Sequence, residues 1–408
     1  MRTFLEKCRW PILAAATLLK CIVFFPNGWA VFQPYVSEQL GYTAGEAALA
    51  MPLIMVFFAL FSILGGRVQD RLSPRTAGWI GTGLMGLAFL SVRLARPGQP
   101  LTLYLGFCLL YGAGYGFLFP AANATLLKWY ADRTGFAGGV SSSIAGLYLV
   151  AQTYAAEALL SRLPLATVMT LFGLYSLAVC LPASLFLVVP GPAYLEEKRS
   201  LAALRTRGKS TPSEKEFTPA QMLCTPQFFL LFSAIALVTP AYMLLSPQLI
   251  TLCMGKGLSK DLALLAISCA SVAITAGQLV IPPLSDRLGR KRVMLAMWAL
   301  GTLCAVLFML CTGLPLIPIW AGLAMAINSS SNLITAFVID MFGFRHSGVN
   351  TGLMNMAGGM GALAGPALLA LLTPLWGDGA IYLIGVIGAA AGFVCMSRID
   401  PDTAKAAP

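Results

Sequence analysis

Lys20 is the charge in this chain whose surroundings most demand an explanation. It stands about ten residues into an apolar run, so a helix rising about 1.5 Å per residue puts its ammonium about 15 Å in, near the middle of a hydrocarbon layer about 30 Å thick. A charge at that depth costs at least about 2.5–3.5 kcal/mol, and some partner has to offset it. One reading gives Lys20 a carboxylate, or a proton, in a wet central cavity. The other lets it snorkel to the inner headgroups along its methylene stem, or settle on a backbone carbonyl. Asn27 follows seven residues later, two helical turns up the same face, which favours a polar stripe turned toward a cavity.

Other polar groups recur at helical spacing inside apolar runs. Ser268, Ser271, Thr275 and Gln278 share one face. Their hydroxyls and amide either bind a polar solute or join helices, and packing is the favoured reading for the small hydroxyls. Asn328 and Asn332 share a face of the polar turn Asn328-Ser329-Ser330-Ser331-Asn332, which has to meet protein or water rather than lipid. Tyr111 with Tyr115, Tyr148 with Gln152, and Tyr242 with Thr239 and Ser246 add stripes that set a hydroxyl donor on an apolar wall. That combination suits a small organic anion and suits helix packing as well. The candidate binding set is therefore Lys20, Asn27, Tyr115, Tyr148, Gln152, Tyr242, Gln278, Asn328 and Asn332.

A second group of candidates lies between apolar runs. The stretch Gly66-Arg67-Val68-Gln69-Asp70-Arg71-Leu72-Ser73-Pro74-Arg75 is echoed 216 residues on by Pro282-Pro283-Leu284-Ser285-Asp286-Arg287-Leu288-Gly289-Arg290-Lys291. A basic cluster that only sets topology explains the Arg and Lys but not the repeated Asp. A carboxylate is favoured beside a helix N-terminus, so Asp70, Arg71, Arg75, Asp286, Arg287, Arg290 and Lys291 are read as conformational residues.

The elements that must position these residues follow from composition. Of 408 residues, 58% are hydrophobic and 11% charged, with a mean hydropathy of +0.79. A soluble fold carries about 25% charged residues, so lipid is the solvent here. Twelve apolar runs span 11–35, 44–66, 76–95, 101–126, 136–160, 165–189, 227–252, 261–284, 293–313, 315–339, 347–373 and 379–397. Backbone groups cannot stay unpaired in hydrocarbon, so these runs are predicted helices. The first is read as a membrane helix rather than a cleaved signal, because its apolar character continues and more spans follow. Pro26, Pro34, Pro240 and Pro247 predict kinks in spans 1 and 7. Gly138-Gly139 on span 5 and Gly358-Gly359-x-Gly361 on span 11 permit close helix contact.

The expected class is all-α, with residues 1–189 and 227–397 as two pseudo-symmetric six-helix bundles, 190–226 as a charged cytoplasmic linker and 398–408 as a tail. With both termini inside, the inner segments hold 21 Lys and Arg and the outer loops five, which fixes that orientation. The net charge of +11 is spread over these loop clusters, so nucleic-acid binding is not expected. The ten cysteines are scattered and the one histidine is His346, so neither a metal site nor a cofactor is implied. Nor do these residues converge as an enzyme's would.

The twelve spans, the linker and the repeated Asp-Arg-Leu resemble the major facilitator superfamily. Its loop between helices 2 and 3 reads G-x-x-x-D-R/K-x-G-R/K-R/K. The second copy keeps Asp286-Arg287-x-Gly289-Arg290-Lys291, with Pro282 for the leading Gly. The first keeps Gly66, Asp70 and Arg71, with Ser73 for the inner Gly. Shorter matches point within the family. Thr225-Pro226-Gln227-Phe228 is similar to the "TPQF" of oxalate/formate antiporter-like proteins. Lys128 to Gly135 resembles their "RWFPDKRG", and Asp340-Met341-Phe342-Gly343 with Asn350-Thr351-Gly352 resembles their "DIFG…NYG". Phe25-Pro26-Asn27 resembles the "FPK" of monocarboxylate transporters. Three charged positions of these groups are replaced: Gln278 stands for an Arg, Gly358 for a Lys and Asn27 for the "FPK" Lys.

The resemblance implies a secondary transporter that works by alternating access, its central site lined by spans 1, 4, 5, 7, 8, 10 and 11. The expected solute is a small, monocarboxylate-like organic anion, with Lys20 as counter-charge and Gln278 and Asn27 as hydrogen-bond partners. The alternative is efflux of an amphipathic or neutral compound. No Asp or Glu lies mid-membrane, which tilts the coupling toward exchange, or toward a proton carried by Lys20 or by the solute. The expected setting is the cell's inner membrane, and the expected state a monomer.

Overall fold

A computed structural model describes residues 5–6, 8–206 and 216–400, with backbone alone at 44, 199, 202–206, 247, 331, 332 and 378. The side chain of Asn332 and the linker's Arg207, Lys209 and Lys215 therefore lie outside the described residues. Among those described, twelve helices are long and apolar enough to cross a membrane, and none of the elements is a strand. We number them α1 (Trp10–Val23), α2 (Ala50–Arg71), α3 (Pro74–Ser91), α4 (Leu109–Trp129), α5 (Thr134–Leu160) and α6 (Leu165–Ser184). The second half supplies α7 (Pro226–Met243), α8 (Lys260–Leu288), α9 (Arg290–Leu310), α10 (Leu316–Phe342), α11 (Ser347–Trp376) and α12 (Ala380–Arg398).

Local chemistry sets where these helices begin. The Thr225 hydroxyl accepts from Phe228 N at 3.3 Å with Pro226 in the first turn, and the Ser259 hydroxyl accepts from Leu262 N at 3.4 Å to open α8. The two repeated turns are solved differently. Ser73 caps α3, its hydroxyl accepting from Thr76 N at 3.0 Å. Gly289 instead opens α9 with φ at 92°, a conformation that favours glycine.

Span 1 departs from the expected continuous helix. The α-helix stops at Val23 and passes into a 3₁₀ stretch, Phe25–Val31, before a short helix at Gln33–Leu40. Pro26 causes the break. It has no N–H for the carbonyl of Ile22, and the Tyr111 hydroxyl donates to that carbonyl at 2.8 Å instead. The bend is filled by aromatic rings: Phe25 meets Phe89 edge-on at 4.9 Å, with Phe32, Tyr111 and Phe172 between 5.0 and 5.8 Å away. In span 7, Pro240 lies inside α7, which ends at Met243 and is followed by a 3₁₀ turn at Ser246–Gln248.

The chain divides into two compact units. Unit 1 comprises Met1–Ala131, Ser141–Lys198 and Arg345–Met356; unit 2 comprises Asp132–Val140, Arg199–Phe344 and Ala357–Pro408. The first turns of α5 thus belong to unit 2 and the first turns of α11 to unit 1. The linker contains a helix, Pro192–Thr206, whose Tyr194 ring packs on Trp129 at 5.2 Å at the end of α4.

Candidate functional site

In unit 1 the Lys20 side chain is completely buried, and its ammonium donates to the Ser142 hydroxyl of α5 at 3.3 Å. No carboxylate pairs with it among the described residues. It therefore neither snorkels nor lines open space in this conformation. Tyr148, on the same helix as Ser142, is half-buried and lies within electrostatic reach of Tyr175 of α6. Cys21, next to Lys20, lies within electrostatic reach of Tyr148. Lys20 and Tyr148 thus belong to one junction of α1, α5 and α6. Gln152, one turn beyond Tyr148, is buried, and Tyr115 packs against Phe58 at 4.2 Å within the aromatic core. Asn27 is exposed and sits in the 3₁₀ stretch. Because the α-helix ends before it, the seven-residue spacing does not by itself put Asn27 on the face of Lys20.

In unit 2 the polar stripe of α8 is turned inward on its own helix. Ser268, Ser271 and Thr275 donate to the carbonyls of Leu264, Ile267 and Ser271 at 3.1, 3.0 and 2.9 Å. Asn328 likewise donates to Ala324 O at 2.9 Å, while Ser330 accepts from the Trp298 indole at 3.0 Å. Tyr242 stacks on Trp320 with ring centres 5.6 Å apart. Gln278 is buried where α8 meets α10; the neighbouring Gly277 approaches Ser329 so closely that a Cβ there would collide with its hydroxyl.

The two Asp-Arg-Leu copies are not loops, as the sequence suggested, but the last turns of α2 and α8. A carboxylate at the C-terminal end of its own helix is electrostatically disfavoured. Each Asp escapes this by facing the N-terminus of another helix. In unit 1, Asp70 accepts from Gly348 N at 3.2 Å and Val349 N at 3.1 Å, at the start of α11. In unit 2, Asp286 accepts from Gly135 N at 2.8 Å and from the Thr134 hydroxyl at 3.2 Å, at the start of α5.

Both contacts extend as tight backbone seams. Seam A runs along Ser62, Gly66 and Asp70 of α2 against Gly348 and Gly352 of α11. The Ser62 hydroxyl reaches Gly352 O at 3.0 Å, and a Cβ on Gly66 or Gly352 would run into the opposing backbone. Seam B runs along Gln278, Pro282 and Asp286 of α8 against Gly135 and Gly139 of α5, where an added Cβ would strike the carbonyls of Pro282 and Gln278. Each α2 position has its α8 counterpart 216 residues on. The spacing of four in Ser62-x₃-Gly66-x₃-Asp70, Gly348-x₃-Gly352 and Gly135-x₃-Gly139 is a small-residue packing signal that could have revealed the seams. Ser142, Ser62, Gly135, Gly348, Gly352 and Thr134 are the residues that sequence reasoning missed.

The other expected conformational residues are scattered. Arg290 is buried in seam B, 3.7 Å from Asp286 and 2.7 Å from Asp340, and donates to the Thr134 hydroxyl at 2.8 Å. Arg75 instead donates twice to Leu185 O, at 3.1 and 2.8 Å, closing the C-terminus of α6. Arg71 and Arg287 are exposed and Lys291 is half-buried.

Two helical halves, each carrying the same Asp turn, define a membrane transporter fold. The Major Facilitator Superfamily model matches residues 16–327 and 231–408, and the chain belongs to that superfamily. It is similar to the oxalate:formate antiporter of Oxalobacter formigenes, 23% identical over 400 residues that cover 96% of this chain and 92% of that one. It is also similar to human monocarboxylate transporter 11, 25% identical over 383 residues covering 90% and 78%. Among solved structures it matches FucP, a major facilitator transporter in the outward conformation, with a TM-score of 0.72 and 13% identity over 94% of this chain and 97% of that one. The protein is a multi-pass membrane transporter of small solutes.

Proposed function

We propose that this transporter carries a small organic anion of the monocarboxylate kind across the cell's inner membrane, as a monomer with both termini in the cytoplasm. The reading rests on Lys20. A completely buried ammonium held by one hydroxyl is under-satisfied, and an anionic solute is the partner that would satisfy it. The likeness to an oxalate:formate antiporter and to a monocarboxylate transporter supports the same class. Tyr148 and Gln152, in the same unit as Lys20, are the side chains assigned to orient the solute, with Tyr115 as a wall. Alternating access then requires that seams A and B part and re-form, with Asp70, Asp286 and Arg290 as the groups that hold them.

The test is uptake by proteoliposomes against a panel of radiolabelled carboxylates, comparing the natural protein with Lys20→Ala. The expected result is saturable uptake of at least one carboxylate, lost in the variant while its membrane insertion and melting behaviour persist. Equal uptake by both proteins removes the organic-anion assignment. Export of an amphipathic neutral dye that survives Lys20→Ala points to efflux instead.

A further inference from the structure

The end of seam A holds polar atoms that find no partner in the protein. Gln69, one residue before Asp70, is 4% exposed, and neither its amide nitrogen nor its amide oxygen is hydrogen-bonded. In the same unit, the hydroxyls of Ser347 and Thr351, chain neighbours of Gly348 and Gly352 on α11, and of Thr125 on α4 are also buried and unbonded. The matching position on α8 is Ser285, whose hydroxyl donates to Pro282 O at 2.6 Å. At this position the two copies therefore differ: the amide on α2 is unpartnered and the hydroxyl on α8 is bonded.

A buried amide without partners destabilises the state that buries it, whereas an apolar side chain of the same size does not. Selection of the present arrangement for strength alone would have removed Gln69. We propose that Gln69 keeps seam A easy to open: its amide gains hydrogen bonds when the start of α11 leaves α2, so the residue raises the fraction of time that seam A is parted. Gln69 is a positioning residue for the conformational cycle and does not touch the solute. This rests on the reading that seam A opens during transport. Its test needs no solute, so the two readings fail separately.

The variant is Gln69→Met, which keeps length and flexibility and removes the amide; Gln69→Leu is the second choice if the first fails to fold. The measurement is hydrogen–deuterium exchange of the peptide covering residues 347–352, with the melting temperature of the purified protein alongside. The amides of Gly348 and Val349 report directly, because they are bonded to Asp70 only while the seam is closed. The expected result is exchange about fivefold slower or more, with a raised melting temperature. Faster exchange or a lower melting temperature overturns the proposal, since the amide would then be supporting the closed seam. Unchanged exchange overturns it too, because an amide with no energetic consequence cannot set the opening.

Discussion

Seams A and B share their spacing and their capping carboxylate, yet they are held by different forces. In seam B the first residue of α9 is Arg290, which reaches Asp286, Asp340 and Thr134 at once. The position 216 residues earlier is Pro74, which cannot do any of this. In seam A the basic side chains within electrostatic reach of Asp70, Lys128 on α4 and His346 beside α11, come from other elements. Seam B thus adds a buried ion-pair network to its backbone contact. Seam A combines the end of a helix, glycines and the Ser62 hydroxyl with the field of Lys128. A duplicated scaffold has kept the close approach in both copies and the Arg290 network at the position of α9 alone, where the first copy has Pro74.

Breaking the network should separate the seams most sharply. Arg290→Ala leaves the part-buried Asp286 and Asp340 without that cation, which costs somewhat less than the about 3–5 kcal/mol of a fully buried pair. We expect a large fall in melting temperature and faster exchange over residues 134–139, while residues 347–352 stay as protected as before. Equal deprotection of both stretches would show that the seams are energetically one unit.

The next largest effect tests what the seams share. Gly135→Ala drives a methyl against the Pro282 carbonyl and the Asp286 carboxylate, and Gly66→Ala drives one against the backbone of Gly348 and Val349. Overpacking of this kind costs about 1–3 kcal/mol. The two variants should lose similar stability and both should lose transport, because neither seam could close fully. A harmless Gly66→Ala beside a damaging Gly135→Ala would mean that close approach matters in seam B alone.

Replacing the carboxylates gives a smaller and opposite ordering. Asp70→Asn removes the charge that faces the start of α11, where an anion is worth up to about 2 kcal/mol. Seam A has no buried arginine to take over, so its amides should exchange faster by about tenfold. In Asp286→Asn, Arg290 keeps its pair with Asp340 and its bond to Thr134. The exchange of residues 134–139 should therefore rise less than that of residues 347–352 in the Asp70 variant.

How much of this was legible beforehand depended on the kind of signal. Hydropathy located all twelve spans, since a run of apolar residues long enough to cross a bilayer has one structural solution. The break in span 1 is signalled by Pro26, and helical-face arithmetic for Asn27 holds only while the α-helix lasts. The repeated Asp was visible, yet its partner was not, because which helix N-terminus an Asp faces is a tertiary fact. Arg75 shows the same limit. It belongs to the repeated motif by spacing, and it spends both of its donors on the carbonyl of Leu185. The burial of Lys20 against Ser142 could not be foreseen either, since Ser141, Ser142 and Ser143 follow one another and only the turn of α5 selects among them.

The finest test concerns Ser62, which makes a side-chain hydrogen bond across seam A that does not involve a charge. Its hydroxyl proton lies between two carbonyls, Ala59 O of its own helix at 2.8 Å and Gly352 O of α11 at 3.0 Å. Because the proton is shared, Ser62→Ala forfeits only part of an inter-helix bond, and such bonds in membrane proteins average about 0.6 kcal/mol. The change also leaves the close approach of Gly352 intact, as alanine adds no bulk beyond the serine Cβ. The expected outcome is a two- to threefold rise in exchange at residues 347–352, on the order of that energy, with transport preserved. A loss as large as that of Gly66→Ala would mean that seam A is held by directed hydrogen bonding rather than by backbone contact, and its contrast with seam B would lie in the number of bonds, not in their charge.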